Sequence, residues 1–175
     1  MRYRVAAALS VDTQVLDATM SHNVERFEEI SKFGVIPSPS GPGAVLLHDE
    51  VGGDCIVVLR AHQLDDKSTP VALVTFSGCV QSLFGYPNDE AYSNDPRGEL
   101  SYGFFEGVNS DWPRRLSEYN KRSFPEGEGF TGLRHFFVGF HDASAEFLAE
   151  DIGVELFHGD GFQEVLQVAM ARVID

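Results

Sequence analysis

The segment Arg134–Asp151, RHFFVGFHDASAEFLAED, constrains the fold more than any other part of the chain. Two apolar runs rich in aromatic and β-branched residues, joined by a short polar turn, predict a β-hairpin. The turn chemistry predicts that His141, Asp142 and Glu146 come close together. That trio is chemically capable, though its residue types alone do not name a reaction.

The remaining segments supply strands more often than helices. Arg2–Leu9 reads as a first strand, because its apolar run from Val5 to Leu9 is shorter than the roughly 7–15 residues a signal h-region needs. Ser21 is a plausible N-cap for a helix running to Phe33, with Val24, Phe27 and Ile30 at helical spacing. Residues 34–43, GVIPSPSGPG, read as a Pro/Gly/Ser loop. Ala44–His48 and Cys55–Ala61 flank DEVGGD, a hairpin signal. Pro70–Phe84 is a long apolar run that Gly78 bends. Residues 85–98, GYPNDEAYSNDPRG, read as loop, and Tyr102–Val108 as a short strand.

Asn109 or Ser110 is placed to cap a second helix, with Pro113 in its first turn. Trp112, Leu116 and Tyr119 form its apolar stripe, and Arg114, Arg115, Lys121 and Arg122 face outward. Ile152–Phe157 adds a strand, and Asp160 is positioned to cap a last helix with Val165, Leu166, Ala169 and Val173 on one face. Most connections are too short for crossovers. The expected fold is α+β, a single domain over residues 1–175 with a mostly antiparallel sheet packed by two or three helices.

Composition narrows the function classes. A formal charge of −14 argues against a nucleic-acid surface, which needs clustered Lys and Arg. From His135 to Ala171 there is no basic residue besides histidine, while Asp142, Glu146, Glu150, Asp151, Glu155, Asp160 and Glu164 all fall there. Such a block focuses negative potential and steers a basic partner. No stretch approaches the roughly 18 apolar residues of a membrane helix, so no membrane partner is expected. Cys55 and Cys79 lie in apolar strand-like runs without C-x-x-C spacing. They read as buried reduced thiols of a cytoplasmic protein.

Each candidate chemistry has a plainer competitor. His141-Asp142 resembles the HD pair of metal phosphohydrolases, but those pairs sit on helices with further His and Asp ligands nearby. A turn-capping Asp beside a partly buried His is the more economical reading. The sharper alternative is a hydrolase or transferase using His141, Asp142, Glu146 and His135, with Asp89 and Glu90 from the 85–95 loop. Cys79 lacks an activating neighbour in sequence and reads as core. The loop oxygens of Asn88, Asp89, Glu90, Asn94 and Asp95 lack EF-hand spacing, so a calcium site is not expected. GPG, VGGD and GDGF lack the context of a phosphate-binding loop. Neither cofactor nor metal is expected.

FGYPNDEA, YGFFEGVNSDW with Leu116 and Asn120 following, and RHFFVGFHDASAEFLAE together resemble a group of small bacterial proteins with no assigned activity. The likeness spans about residues 84–151. The family pattern has a His-Pro after the NDEA loop and another before the RHF strand. This chain carries Asp95-Pro96 and Phe124-Pro125 there. The resemblance therefore implies that the shared pieces are scaffold and points away from a His-based enzyme.

The expected function is that of an acidic binding protein, immunity- or antitoxin-like, acting by contact with a protein of basic character. Asp142, Glu150, Asp151, Glu155, Asp160, Asp89 and Glu90 are the residues expected to meet it. An accessory protein that forms homo-oligomers and has no ligand of its own is the third reading.

Overall fold

The structure is a computed structural model that describes residues 25–174, apart from positions 42, 50–52, 66–67, 93, 128 and 160 and the side chains of residues 89 and 174. Its elements in chain order are β1 (Arg26–Glu29), β2 (Val35–Pro37), β3 (Val45–His48), β4 (Cys55–Gln63), β5 (Val71–Ser77) and β6 (Gln81–Gly85), then α1 (Asp89–Tyr92), β7 (Gly103–Val108) and α2 (Trp112–Ser123). The hairpin β8 (Arg134–Gly139) and β9 (Ser144–Ala149) follows, then β10 (Asp151–Phe157) and α3 (Phe162–Ile174).

Among the described residues every strand pairing is antiparallel, and the strands form two sheets. One sheet has the order β1-β7-β8-β9-β6; the other is β10-β5-β4-β2, with β3 also on β4. The sheets face each other across the main core. Val57, Leu59, Val74 and Phe76 meet Phe104, Phe136, Val138 and Phe147 there. Phe76 of β5 and Phe147 of β9 stack with ring centroids 3.7 Å apart and rivet the layers together.

A second core lies on the outer face of the β10-β5-β4 sheet, where Val165 and Ala169 of α3 cover Ile56, Val58, Val71 and Leu73. The first five residues of β4, Cys55–Leu59, are therefore all apolar and buried, because sheet covers one face of the strand and helix the other. On the outer face of the β1-β7-β8 sheet, Phe27, Tyr92, Leu100, Phe105 and Phe137 form a third cluster. The molecule is thus an α+β fold dominated by antiparallel sheet. No helix among the described residues is long and apolar enough to cross a membrane.

Several expected elements take a different form. The helix expected to reach Phe33 is instead strand β1 followed by a 3-10 turn, Ser31–Phe33. Phe27 is the sole buried residue of β1, and the ladder to β7 from Arg26↔Val108 to Glu29↔Phe105 outweighs the helical spacing. Within the 34–43 loop, Val35–Pro37 pairs with β4, and within the 85–98 loop a short helix forms at Asp89–Tyr92.

The run 70–84 does break at Gly78, whose φ of +59° suits glycine. Its two halves, β5 and β6, enter different sheets. Asp111 occupies the α2 N-cap without a side-chain cap bond, and the Ser110 hydroxyl accepts the Trp112 N–H at 3.3 Å. Tyr119 is exposed rather than part of the packed stripe. The Arg2–Leu9 strand, the Ser21 cap and the Asp160 cap lie outside the described residues.

Candidate functional site

His135 and Glu146 meet on the outer face of the β1-β7-β8-β9-β6 sheet. Side chains alternate along β8, so Phe136 and Val138 enter the main core while His135 and Phe137 point the other way. The register pairs Phe137 with Glu146, which sets Glu146 diagonally across from His135 on that face. His135 Nε2 lies 2.8 Å from Glu146 Oε2. The other ring nitrogen lies 2.8 Å from Ser110 Oγ and 3.3 Å from Glu25 Oε1.

Aromatic edges close the remaining sides. Trp112 and Phe27 pack edge-on against the imidazole at centroid distances of 4.8 and 5.0 Å. Trp112 is itself fixed by its Nε1–H, which donates to Gln81 Oε1 at 2.9 Å. The space comes from Gly107 on β7, where an added Cβ would lie 3.1 Å from His135 Nδ1. His135 is consequently only 2% exposed.

Glu146 faces outward from this enclosure. Its Oε1 is 3.5 Å from the Tyr92 hydroxyl, and Arg97 Nη1 approaches Oε2 at 3.8 Å. Arg97 is held by Asp95 through a fork, Nε to Oδ1 and Nη2 to Oδ2, each at 3.0 Å. It also lies over the Phe27 ring at 5.0 Å. Around Arg97 stand three carboxylates, Asp95, Glu146 and Glu25, so the cluster is net negative when His135 is neutral.

Burial raises the pKa of Glu146, but the His135 hydrogen bond and charge, Arg97 and Tyr92 outweigh it and hold the carboxyl below its ordinary value. Asp95 is likewise lowered: burial opposes ionisation, and the Arg97 side chain and N–H overcome it. Folded-state values below the unfolded ones contribute stability that is complete above the ordinary carboxylate range, near pH 4, and is lost as pH falls through the depressed values. Thermal unfolding followed from pH 7 down to pH 3 should show a falling midpoint, and Asp95→Asn should flatten that fall. An identical slope in wild type and variant would remove Asp95 from the account.

The Glu146 carboxylate lines an open cleft of about 310 Å³, together with Leu83, Phe84, Gly85, Tyr86, Pro87, Tyr92 and Ser144. The start of the polar loop and the returning hairpin strand therefore do share a recess. His141 and Asp142 do not belong to it. Both are exposed at the β8–β9 turn and line a neighbouring recess of about 190 Å³ with Arg60, Phe140 and Ala143. His141 Nδ1 lies 2.9 Å from the Tyr102 hydroxyl. The expected trio is thus divided, and His135 replaces the turn pair as the partner of Glu146. Phe84 lines both recesses.

The other acidic residues are spread over the surface. Glu90 is exposed on α1. Asp142 lies at one end of the hairpin and Glu150 and Asp151 at the other, separated by a strand of about 20 Å. Asp151 pairs with Arg134 at 3.1 Å, and Glu155 pairs with Arg172. Asp160 and the side chain of residue 89 lie outside the described residues.

Residue types had singled out His135 and Glu146, but not Ser110, Arg97, Tyr92 or Trp112. A register count through the hairpin would have found the His135–Glu146 diagonal. No protein-family model, curated protein or solved structure matches this chain.

Proposed function

We propose that this protein binds a basic protein partner, in the manner of an immunity protein, through the β6 edge and the cleft beside it. The observation that carries this reading is a group of exposed apolar side chains on β6, the last strand of its sheet, and just beyond its end, with acid groups around it. Leu83 is 55% exposed, Phe84 46% and Tyr86 84%. Apolar side chains of this size at one site mark an interaction surface more often than scattered exposure. Asp142 and Glu146 line the recesses on either side, and Glu90 is exposed on the adjoining helix.

Among the described residues β6 pairs only with β9, so its other edge can accept an extended segment by strand addition. A Lys or Arg of that segment fits the cleft, where the ionised Glu146 meets the rings of Tyr86 and Tyr92. Overall acidity accelerates the encounter and makes it sensitive to salt.

The test uses immobilised full-length protein and its Leu83→Asp/Tyr86→Ala variant, followed by binding measurements with the purified captured protein. A basic partner should bind at least about tenfold more weakly to the variant. Binding to wild type should also weaken as salt rises from 0.05 to 0.5 M. Equal affinity for both proteins would refute the proposal.

A second reading, a hydrolase or transferase with Glu146 as its base, is favoured by the contact of Glu146 with both His135 and the cleft. Glu146→Gln would then abolish turnover. Strand addition between two copies is the third reading, and sedimentation of the same variant would show it as a lost dimer.

A further inference from the structure

We infer that His48, Cys55 and Cys79 form a binding site for a thiophilic d10 cation, Zn²⁺ or Cu⁺, beside the start of β6 and outside the lining of the Glu146 cleft. The ligating atoms of the three side chains all lie within 4.8 Å of one another. Three separate pieces of backbone bring them there. His48 ends β3 and stands directly opposite Cys55, the first residue of β4. Cys55 stands opposite Phe76 on its other side. Three residues beyond Phe76 the chain has turned at Gly78, and Cys79 arrives beside Cys55. The Cys79 N–H is bonded to the Gly53 carbonyl, which fixes the turn against the β3–β4 connection.

The donor set suits a soft or borderline metal. Tetrahedral coordination with Zn–S of about 2.3 Å places two sulfurs about 3.8 Å apart, so modest side-chain rotations close the site. Cu⁺ favours the same thiolate-rich set. Both cysteines are buried while His48 is exposed, so the imidazole side provides a route from solvent. Ser82 Oγ lies 2.9 Å from His48 Nδ1 and orients the ring. That leaves Nε2, now 3.3 Å from the Cys79 carbonyl oxygen, as the nitrogen to turn onto an ion.

Asp54, whose carboxylate accepts the Gly78 N–H at 3.0 Å, adds negative charge nearby. Cys79 is held below its ordinary pKa mainly by the hydrogen bond from Cys55, and Cys55 is raised by the same bond and by burial. Binding converts both sulfurs to thiolates and releases two protons to solvent when both start as thiols. The metal keeps its oxidation state, so no electron donor or acceptor is needed.

The plainer reading is a pair of core cysteines with a surface histidine beside them. Titration of the reduced full-length protein with Co²⁺, Zn²⁺ and Cu⁺ under anaerobic conditions separates the two. We expect one equivalent of Co²⁺ with thiolate-to-metal bands in the near ultraviolet, displaced by Zn²⁺ or Cu⁺. Competition against a chromophoric chelator then ranks the two d10 ions. Cys79→Ser should remove the bands, and His48→Ala should weaken binding at least about tenfold. His48 is exposed, so its variant keeps the fold even if a cysteine variant does not. Absence of saturable 1:1 binding, or unchanged affinity in His48→Ala, would overturn the inference.

Discussion

Replacing Gly139 by alanine should lower stability by more than about 3 kcal/mol, one methyl group notwithstanding. A Cβ built at this position would lie 2.1 Å from the Ser101 carbonyl oxygen and 3.0 Å from its carbonyl carbon. An ordinary carbon–oxygen approach is about 3.3 Å, so the two backbones would have to part by about 1 Å. Neither side is free to move. Gly139 is paired on both flanks, to Gly103 of β7 and to Ser144 of β9. Ser101 lies between Gly103 and the buried Leu100, which packs with Phe105 and Phe137. Displacing Ser101 would pull Leu100 from its cluster or break the end of the β7 ladder. For a chain of this size the loss corresponds to a midpoint lower by at least about 6–12 °C in thermal unfolding. Gly153→Ala is the internal control. Its added Cβ meets nothing within 4 Å, and the change should stay within about 0.5 kcal/mol. If Gly139→Ala matched that control, the close packing of the 98–102 segment on β8 would be wrong.

This close approach also shows what sequence could and could not reveal. The β8–β9 hairpin, β4 and the apolar face of α3 are legible because their periodicity reflects local burial. Val165, Leu166, Ala169 and Val173 all pack where their spacing places them. At Phe27 the same rule failed, since residues 24, 27 and 30 satisfy a helical spacing by coincidence while a distant strand supplies the pairing. Partition into two sheets was likewise invisible, because it depends on Gly78 sending β6 to β9 instead of back along β5.

The candidate site was half legible. His135 and Glu146 stand eleven residues apart on one hairpin, so their meeting is a local consequence of register. Ser110 reaches the same imidazole across 25 residues, and the Tyr92 hydroxyl approaches Glu146 across 54. Only the packed α2 and 86–102 segments create those contacts. His141 and Asp142 drew attention as chemically capable neighbours in sequence, whereas a strand sends alternate side chains to opposite faces and a turn sends its own to solvent.

The same distinction predicts that His135→Leu will be costly where substitutions at the turn histidine are not. Leucine fills much of the volume beneath Trp112 and Phe27 but offers nothing to Glu146 Oε2 or Ser110 Oγ. A part-buried carboxylate then keeps only Arg97 at 3.8 Å and the Tyr92 hydroxyl at 3.5 Å, both weaker than the 2.8 Å contact it loses. Removing one member of a buried charged pair typically costs about 3–5 kcal/mol, mostly through the partner left behind. The midpoint should fall on the order of 10 °C. His141→Leu, at an exposed turn, should change it by no more than about 0.5 kcal/mol. The double variant His135→Leu/Glu146→Leu separates lost pairing from lost shape. Once the carboxylate is gone, Arg97 retains its fork to Asp95, and the leucines extend the cluster of Phe27, Phe105 and Phe137. The double variant should therefore recover most of the stability lost in the single one. Recovery would make the pair an architectural element whose remaining role is to hold an ionised Glu146 at the cleft. If the double variant is instead as unstable as the sum of its parts, the imidazole matters through its contacts with Trp112, Phe27 and Ser110, and the carboxylate is available for chemistry of its own.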